Sequence, residues 1–173
     1  MQNEVDTTKQ NTLDLGCGDR MRTHEGMIGW GVDWNVKADR VINNVDVFVD
    51  SLPFASEAFD IVYAYDFLEH IPTVIYKNGL KFPRIHLMNE VWRVLKEGGI
   101  FESFTPFYNP ENPRVEWCQD PTHTIPWCKV SFNYFSNLGG EWDRLRDIYG
   151  IKARFAIDTM EDRNSHLFVR LRK

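Results

Sequence analysis

The sequence predicts an α/β domain: three layers around a mostly parallel sheet of about seven strands, closed by a C-terminal antiparallel hairpin. Three observations predict it. Short runs rich in β-branched and aromatic residues alternate with loops and one amphipathic helical stretch, the pattern of parallel strands joined by crossovers. The early strands end in a carboxylate or a glycine, as at Leu13-Asp14-Leu15-Gly16-Cys17-Gly18 and Gly31-Val32-Asp33. Two late runs, Lys152 to Thr159 and Ser165 to Arg172, alternate around the polar stretch Met160 to Asn164 and read as a hairpin.

Taken in order, residues 1–11 read as a flexible lead-in, and the first strand starts near Thr12. Asp19 to Gly26 is too short for a long crossover helix and reads as a loop. Met27 to Asp33 is the second strand, and a third short one is expected at Arg40 to Val45. Phe59 to Tyr65 is apolar and aromatic enough for a buried strand. From Pro83 to Lys96, Ile85, Met88, Val91, Trp92 and Leu95 recur at helical spacing, with Pro83 suited to the first turn and Gly98-Gly99 closing the far end. Ile100 to Thr105 is another strand. Residues 106–135 resist a periodic reading, and a segment of that length in a compact domain is usually functional or contains small local structure. Glu141 to Tyr149 reads as a short helix. No internal repeat, low-complexity tract or linker interrupts the 173 residues, so one domain spanning 1–173 is expected.

Composition narrows the function classes. With 43% hydrophobic and 14% aromatic residues the chain can fill a core. A net charge of −5 argues against bulk nucleic-acid binding, which needs surplus lysine and arginine. Cys17, Cys118 and Cys128 form no even disulfide framework, Met1 to Asn11 is polar with no apolar h-region, and no apolar run nears membrane-spanning length; a cytoplasmic location is expected.

The chemistry concentrates at Gly16-Cys17-Gly18, where backbone can approach a ligand with no side chain between. Asp33 lies nineteen residues beyond Asp14 and ends the neighbouring strand, placing a carboxylate beside that loop. Such an acid can accept both hydroxyls of a ribose; the plainer reading is a solvated strand-end acid. A dinucleotide loop would need a third glycine where Met21 stands, and no Gly-Lys-Ser/Thr phosphate loop occurs.

Leu13-Asp14-Leu15-Gly16-Cys17-Gly18 resembles the first motif of class I S-adenosylmethionine-dependent methyltransferases. Gly31-Val32-Asp33, Leu52-Pro53-Phe54 before Phe59-Asp60-Ile61-Val62, Leu68-Glu69-His70 and Arg93 to Gly99 match the family's later stretches in order. Asp120-Pro121-Thr122-His123, followed by Phe132-Asn133-Tyr134-Phe135, also resembles a branch of small bacterial and phage-like members whose first helix is reduced to a loop. The resemblance implies a Rossmann-like fold, S-adenosylmethionine as methyl donor and S-adenosylhomocysteine as product. It implies that Gly16, Cys17 and Gly18 pass under the cofactor, that Asp14 helps hold the loop and amino group, and that Asp33 takes the ribose hydroxyls. Trp34 would lie beside the adenine, Asp46 and the Val47 backbone at its amino edge, with Asn44 and Asp50 as rivals. The Tyr65 carbonyl and Asp66 would sit near the amino group and sulfonium. Glu97 stands where the family usually has proline, and the helix that often covers the pocket before the first strand is missing.

The acceptor is not specified by these motifs. His123 is a candidate general base; its alternative is a histidine pinning the loop by hydrogen bonds. His70 and Glu69 read chiefly as packing or capping residues. Cys118, His123 and Cys128, five apart each way, lack a tight Cys-x-x-Cys pair and a fourth ligand, so no metal is expected. The aromatics between Phe104 and Phe135 read mainly as core, and Lys77, Lys81 and Arg84 as a solvated turn or an anion contact. Alternatives to methyl transfer are a non-catalytic cofactor-binding protein, an aminopropyl-type transferase drawing on Glu102, Glu111 and Glu116, and a nicotinamide-dependent oxidoreductase.

Overall fold

The computed structural model describes residues 4–107 and 116–173, and the side chains of Glu116 and Trp117 are not among what it describes. The strands are β1 (Asn11–Leu15), β2 (Ile28–Val32), β3 (Val41–Ile42), β4 (Phe59–Tyr65), β5 (Ile75–Tyr76), β6 (Leu80–Lys81), β7 (Leu95–Pro106), β8 (Ala156–Arg163) and β9 (His166–Arg172). The helices are α1 (Pro83–Val94), α2 (Glu116–Gln119), α3 (Lys129–Asn133) and α4 (Glu141–Tyr149), with a 3-10 turn at Leu68–His70. Seven strands form one sheet in the order β3-β2-β1-β4-β7-β9-β8, and β5-β6 is a separate two-stranded hairpin. The pairs β1–β2, β1–β4, β2–β3 and β4–β7 are parallel, and β9 runs antiparallel to both its neighbours. The fold is therefore the mixed, mostly parallel Rossmann-like sheet with the expected C-terminal hairpin.

The strand order reverses between the parallel neighbours β1 and β4, and the crevice beyond their carboxyl ends is where open α/β sheets bind ligands. All five residues of β1 are buried, as expected for a central strand covered on both faces. Its first residue ties it to neighbouring segments: Asn11 Nδ2 donates to the Asp6 and Lys9 carbonyls at 2.9 Å each, and its N–H reaches Asp60 Oδ2 at 2.8 Å. The lead-in from residue 4 is thus tied down, and Asn11 already belongs to the strand; residues 1–3 lie outside the described residues.

Helix α1 buries Leu87, Met88, Val91 and Val94 on one face, and Pro83 opens it, where a missing N–H costs nothing. It stops at Val94, two residues short of the expected end, because Leu95 already pairs with Phe59 as the first residue of β7. Gly98 (φ +74°) then sits in an irregularity inside that strand, its N–H bonded to the Lys173 carbonyl at 3.0 Å, so the two glycines bulge a strand and do not cap a helix. The third strand shrinks to Val41–Ile42 because residues 46–50 turn around Asp46, whose Oδ1 accepts from the Phe48 N–H at 3.1 Å. The hairpin turn tightens to Asn164–Ser165, and Met160–Arg163 pair with β9 as part of β8. Helix α4 occupies the predicted residues, and the irregular stretch contains α2 and α3. Among the described residues no helix is long and apolar enough to cross a membrane.

Candidate functional site

A hollow of about 700 Å³ opens beyond the carboxyl ends of β1, β2 and β4. Gly16, Asp33, Trp34, Asp46, Val47 and Asp66 line it, together with Val32, Val45, Phe48, Phe67 and Ile71. Six residues singled out in the sequence are therefore brought together. Gly16 has φ +68°, and a Cβ there would lie 2.5 Å from Phe67 Cδ2, so only glycine lets the loop pass under that ring. Gly16→Ala is expected to cost about 1–2 kcal/mol through the left-handed backbone alone. Displacement of Phe67 should weaken S-adenosylhomocysteine binding by about tenfold or more, checked by denaturation and calorimetric titration.

Asp33 spans the loop. Its Oδ2 accepts from the Gly18 N–H at 3.0 Å, and its Oδ1 from the Asn35 and Val36 N–H groups at 2.9 and 3.2 Å. The carboxylate is thereby aimed across the mouth of the hollow, with capacity left for further donors. Trp34, 82% exposed, forms an uncovered indole wall at that mouth. Asp46 lines the hollow and its rivals Asn44 and Asp50 do not. Lys77 of the β5–β6 hairpin is bound to Asp46 Oδ2 at 2.7 Å, which holds the Asp46 carboxyl below its usual range. Lys77 is thus an ion-pair partner that fastens the hairpin to the rim.

Four predicted residues lie behind the hollow, not on its wall. The Cys17 side chain is buried against the sheet, where a Cβ on Gly31 would come within 2.6 Å of its Sγ. Tyr65 donates its hydroxyl to Glu102 and stacks beneath the Arg22 guanidinium at 4.4 Å. Glu102 also faces Arg170, so the acid that suggested a polyamine pocket is already engaged. Glu111 lies outside the described residues. Gly18 offers its N–H to Asp33, and the buried Asp14 accepts from the Arg22 N–H at 2.6 Å, holding the loop from below.

Burial pushes the Asp14 carboxyl up to about 6, against which the Arg22 contacts act only in part. A folded-state value above the unfolded one of about 3.8 means the native chain holds this proton more tightly. Asp14 therefore favours folding below about pH 4, and that contribution falls away as pH rises through about 6, by about 3 kcal/mol in all. Asp14→Asn is expected to remove this fall, seen as a smaller loss of denaturation free energy between pH 4 and 7 than in the wild type. Parallel curves would remove Asp14 from the account.

A second, open basin of about 530 Å³ adjoins the hollow, and Asp66 and His70 line both. Its other polar walls are Glu69, Gln119, Asp120, His123 and His166. The Asp-Pro-Thr-His segment forms a tight turn, with the Thr122 N–H on Asp120 Oδ1 at 2.7 Å and the His123 N–H on the Asp120 carbonyl at 3.1 Å. The turn is docked on the Leu68–His70 turn: the Thr124 N–H reaches the Glu69 carbonyl at 2.9 Å, and Trp127 Nε1 reaches the Leu68 carbonyl at 2.9 Å. Arg84 clamps the same region, donating to the Ile71 and Ile125 carbonyls over the Trp127 ring, and burial lowers its guanidinium to about 10. His123 Nε2 stands 3.8 Å from Glu69 Oε1, and burial raises the Glu69 carboxyl above its ordinary range. Asp66, held at φ +47°, faces His166 Nε2 at 3.3 Å.

The sequence matches the family model described as a methyltransferase domain over residues 13–102, just over half of the chain. The chain belongs to this family: it is an S-adenosylmethionine-dependent methyltransferase. Solved structures agree at the level of fold. A Mesorhizobium loti S-adenosylmethionine-dependent methyltransferase superposes with TM-score 0.57 at 17% identity, covering 100% of this chain and 94% of that one. An Archaeoglobus fulgidus methyltransferase gives 0.56 at 16%, covering 98% and 88%. The putative methyltransferase of Haloferax volcanii, in complex with the Trm112 activator, gives 0.57 at 14%, covering 95% and 82%. No curated protein is similar enough in sequence to count as a relative.

The methyl donor of this methyltransferase is S-adenosylmethionine, and the residues present fit it. The hollow has the size of a small-molecule site, apolar walls for an adenine, and acids at the strand ends for hydroxyl and amino donors. His166 is the functional candidate that the sequence reading missed. It opens β9 inside an ordinary strand pattern, and its stack on Phe104 (4.3 Å between centroids) and its approach to Asp66 join residues 62 and 100 positions away in sequence.

Proposed function

We propose that the hollow holds the adenosine and methionine parts of the cofactor and that the basin holds the methyl acceptor, with Asp66 at their junction. The observation that carries this is the shared wall: Asp66 and His70 line both spaces. Bound S-adenosylmethionine supplies a methyl group made electrophilic by its sulfonium. The chain's own work is mainly orientation, which can supply on the order of 7–11 kcal/mol at best. Asp33 accepts the ribose hydroxyls, Trp34 covers the adenine, and Asp46 with the Val47 backbone reads its amino edge. Asp14, Gly16, Cys17, Gly18 and Tyr65 shape and brace the loop beneath. Asp66 takes the acceptor's proton where one must leave, with His166 Nε2 3.3 Å from the same carboxylate. His123 acts on the acceptor side.

Among the described residues the basin wall carries three carboxylates and neither lysine nor arginine, which favours a neutral or cationic acceptor over an anionic one. The Asp-Pro-Thr-His turn supports membership of the small bacterial and phage-like branch. Three cysteines outside any disulfide support a cytoplasmic setting.

The direct test is a thermal-shift and calorimetric screen with S-adenosylmethionine, S-adenosylhomocysteine and NAD. A ligand at a hundred times its dissociation constant adds about 2.7 kcal/mol of stability. The two sulfur compounds are expected to shift the transition and NAD is not; no response to either would overturn the assignment of the hollow. With an identified acceptor, His123→Ala should lower kcat at least tenfold while S-adenosylhomocysteine affinity stays within about twofold. Unchanged turnover would leave His123 a loop-pinning residue.

A further inference from the structure

We propose that Glu69, His70 and His123 bind one divalent transition-metal cation of the zinc or iron(II) class in the basin. The 3-10 turn presents Glu69 and His70 side by side, and the Asp120–His123 turn, docked on it, brings in His123. One ligand atom from each of the three lies within 4.8 Å of the others. Tetrahedral bonds near 2.1 Å would place ligand atoms about 3.4 Å apart. Rotations of two imidazoles and a carboxylate span that difference.

The outer atoms of two ligands are already held as metal ligands require. The Thr105 hydroxyl donates to Glu69 Oε2 at 2.8 Å, leaving Oε1 toward His123. The single hydroxyl proton of Thr122 goes to Asp120 Oδ1 at 2.6 Å, so the contact with His70 Nδ1 at 3.0 Å has the ring donating. That fixes the tautomer whose Nε2 carries the lone pair, through a hydroxyl–carboxylate relay behind the ring.

Charge points the same way. Glu69 is 2% exposed, and among the described residues its ion-pair partner is an imidazole, with no lysine or arginine on the basin wall. A buried carboxylate so placed is costly unless a cation neutralises it. Two imidazoles and one carboxylate suit zinc or iron(II) and disfavour magnesium and calcium, which prefer all-oxygen sets. Coordination positions not taken by the chain face the open basin. The cysteines near His123 in sequence do not join the cluster; Cys128 meets Ser131 Oγ at the start of α3 instead.

The test uses the full chain stripped with a chelator and titrated with Co2+ and Zn2+ by calorimetry and visible absorption. One equivalent of cobalt should bind with d–d bands, and zinc should displace it. His70→Ala and His123→Ala should each weaken binding at least a hundredfold, with circular dichroism and a cooperative thermal transition reporting an intact fold. The double variant Cys118→Ser, Cys128→Ser should bind as the wild type does. Absence of saturable one-equivalent binding, or binding that survives both histidine substitutions or is lost with the cysteines, would overturn the proposal. None of these readouts depends on methyl transfer.

Discussion

Asp33→Ala should abolish the stabilisation that S-adenosylhomocysteine gives the wild-type chain. The carboxylate ends β2 at the mouth of the hollow and already orders three backbone N–H groups, those of Gly18, Asn35 and Val36. Hydrogen bonds to a charged group contribute about 1.5–3 kcal/mol each. Loss of a hydroxyl pair therefore predicts a fall in affinity of at least about a hundredfold, and the loosened Gly16–Gly18 loop adds to it. Asp33→Asn keeps the shape and one acceptor oxygen, so its effect should be smaller, about tenfold. Calorimetric titration separates the two. Wild-type affinity in Asp33→Ala would take this residue out of the site.

The largest expected change in stability follows from Trp127→Ala. The indole is fully buried, packs against Phe132 at 4.9 Å and Phe135 at 6.2 Å, lies under the Arg84 guanidinium, and donates to the Leu68 carbonyl. Removing so large a core side chain costs about 3–5 kcal/mol, or roughly 6–20 °C in Tm for a chain of this size. Trp127→Phe retains most of the apolar contact and loses the hydrogen bond, so about 1 kcal/mol is expected. Because Trp127 joins the acceptor-side segment to the Leu68–His70 turn, the alanine variant should also lose turnover at temperatures where it remains folded. A Tm within about 2 °C of the wild type would show that the segment is held by other contacts.

Asp33 and Trp127 differ in how far sequence alone could place them. A strand-end acid nineteen residues from Asp14 is a local pattern repeated on two neighbouring parallel strands, and β1 and β2 do pair in register, Asp14 opposite Gly31. The buried face of α1 follows from helical spacing, and the hairpin of β8 and β9 from two alternating runs about a turn. Trp127 lies in a stretch without periodicity, so its anchoring role rests on the Leu68 carbonyl 59 residues away. The Gly98 bulge was misread as a helix end because a glycine pair ends a helix and bulges a strand with the same local signal. What decided it was Phe59 across the sheet.

The sequence by itself determined the succession of the sheet's seven strands along the chain, the glycine loop and the acid beside it, and its ordered motifs resemble the family to which the chain belongs. The strands and the loop are set by hydrophobic period and backbone freedom within a few residues. Only the tertiary structure decided which side chains share a wall. It turned the Cys17 and Tyr65 side chains away from the hollow, paired Lys77 with Asp46, and brought Glu69 within 3.8 Å of His123 across 54 residues of chain. Side-chain encounters of this kind depend on how distant segments dock, and the spacing of residues along the chain carries no record of them.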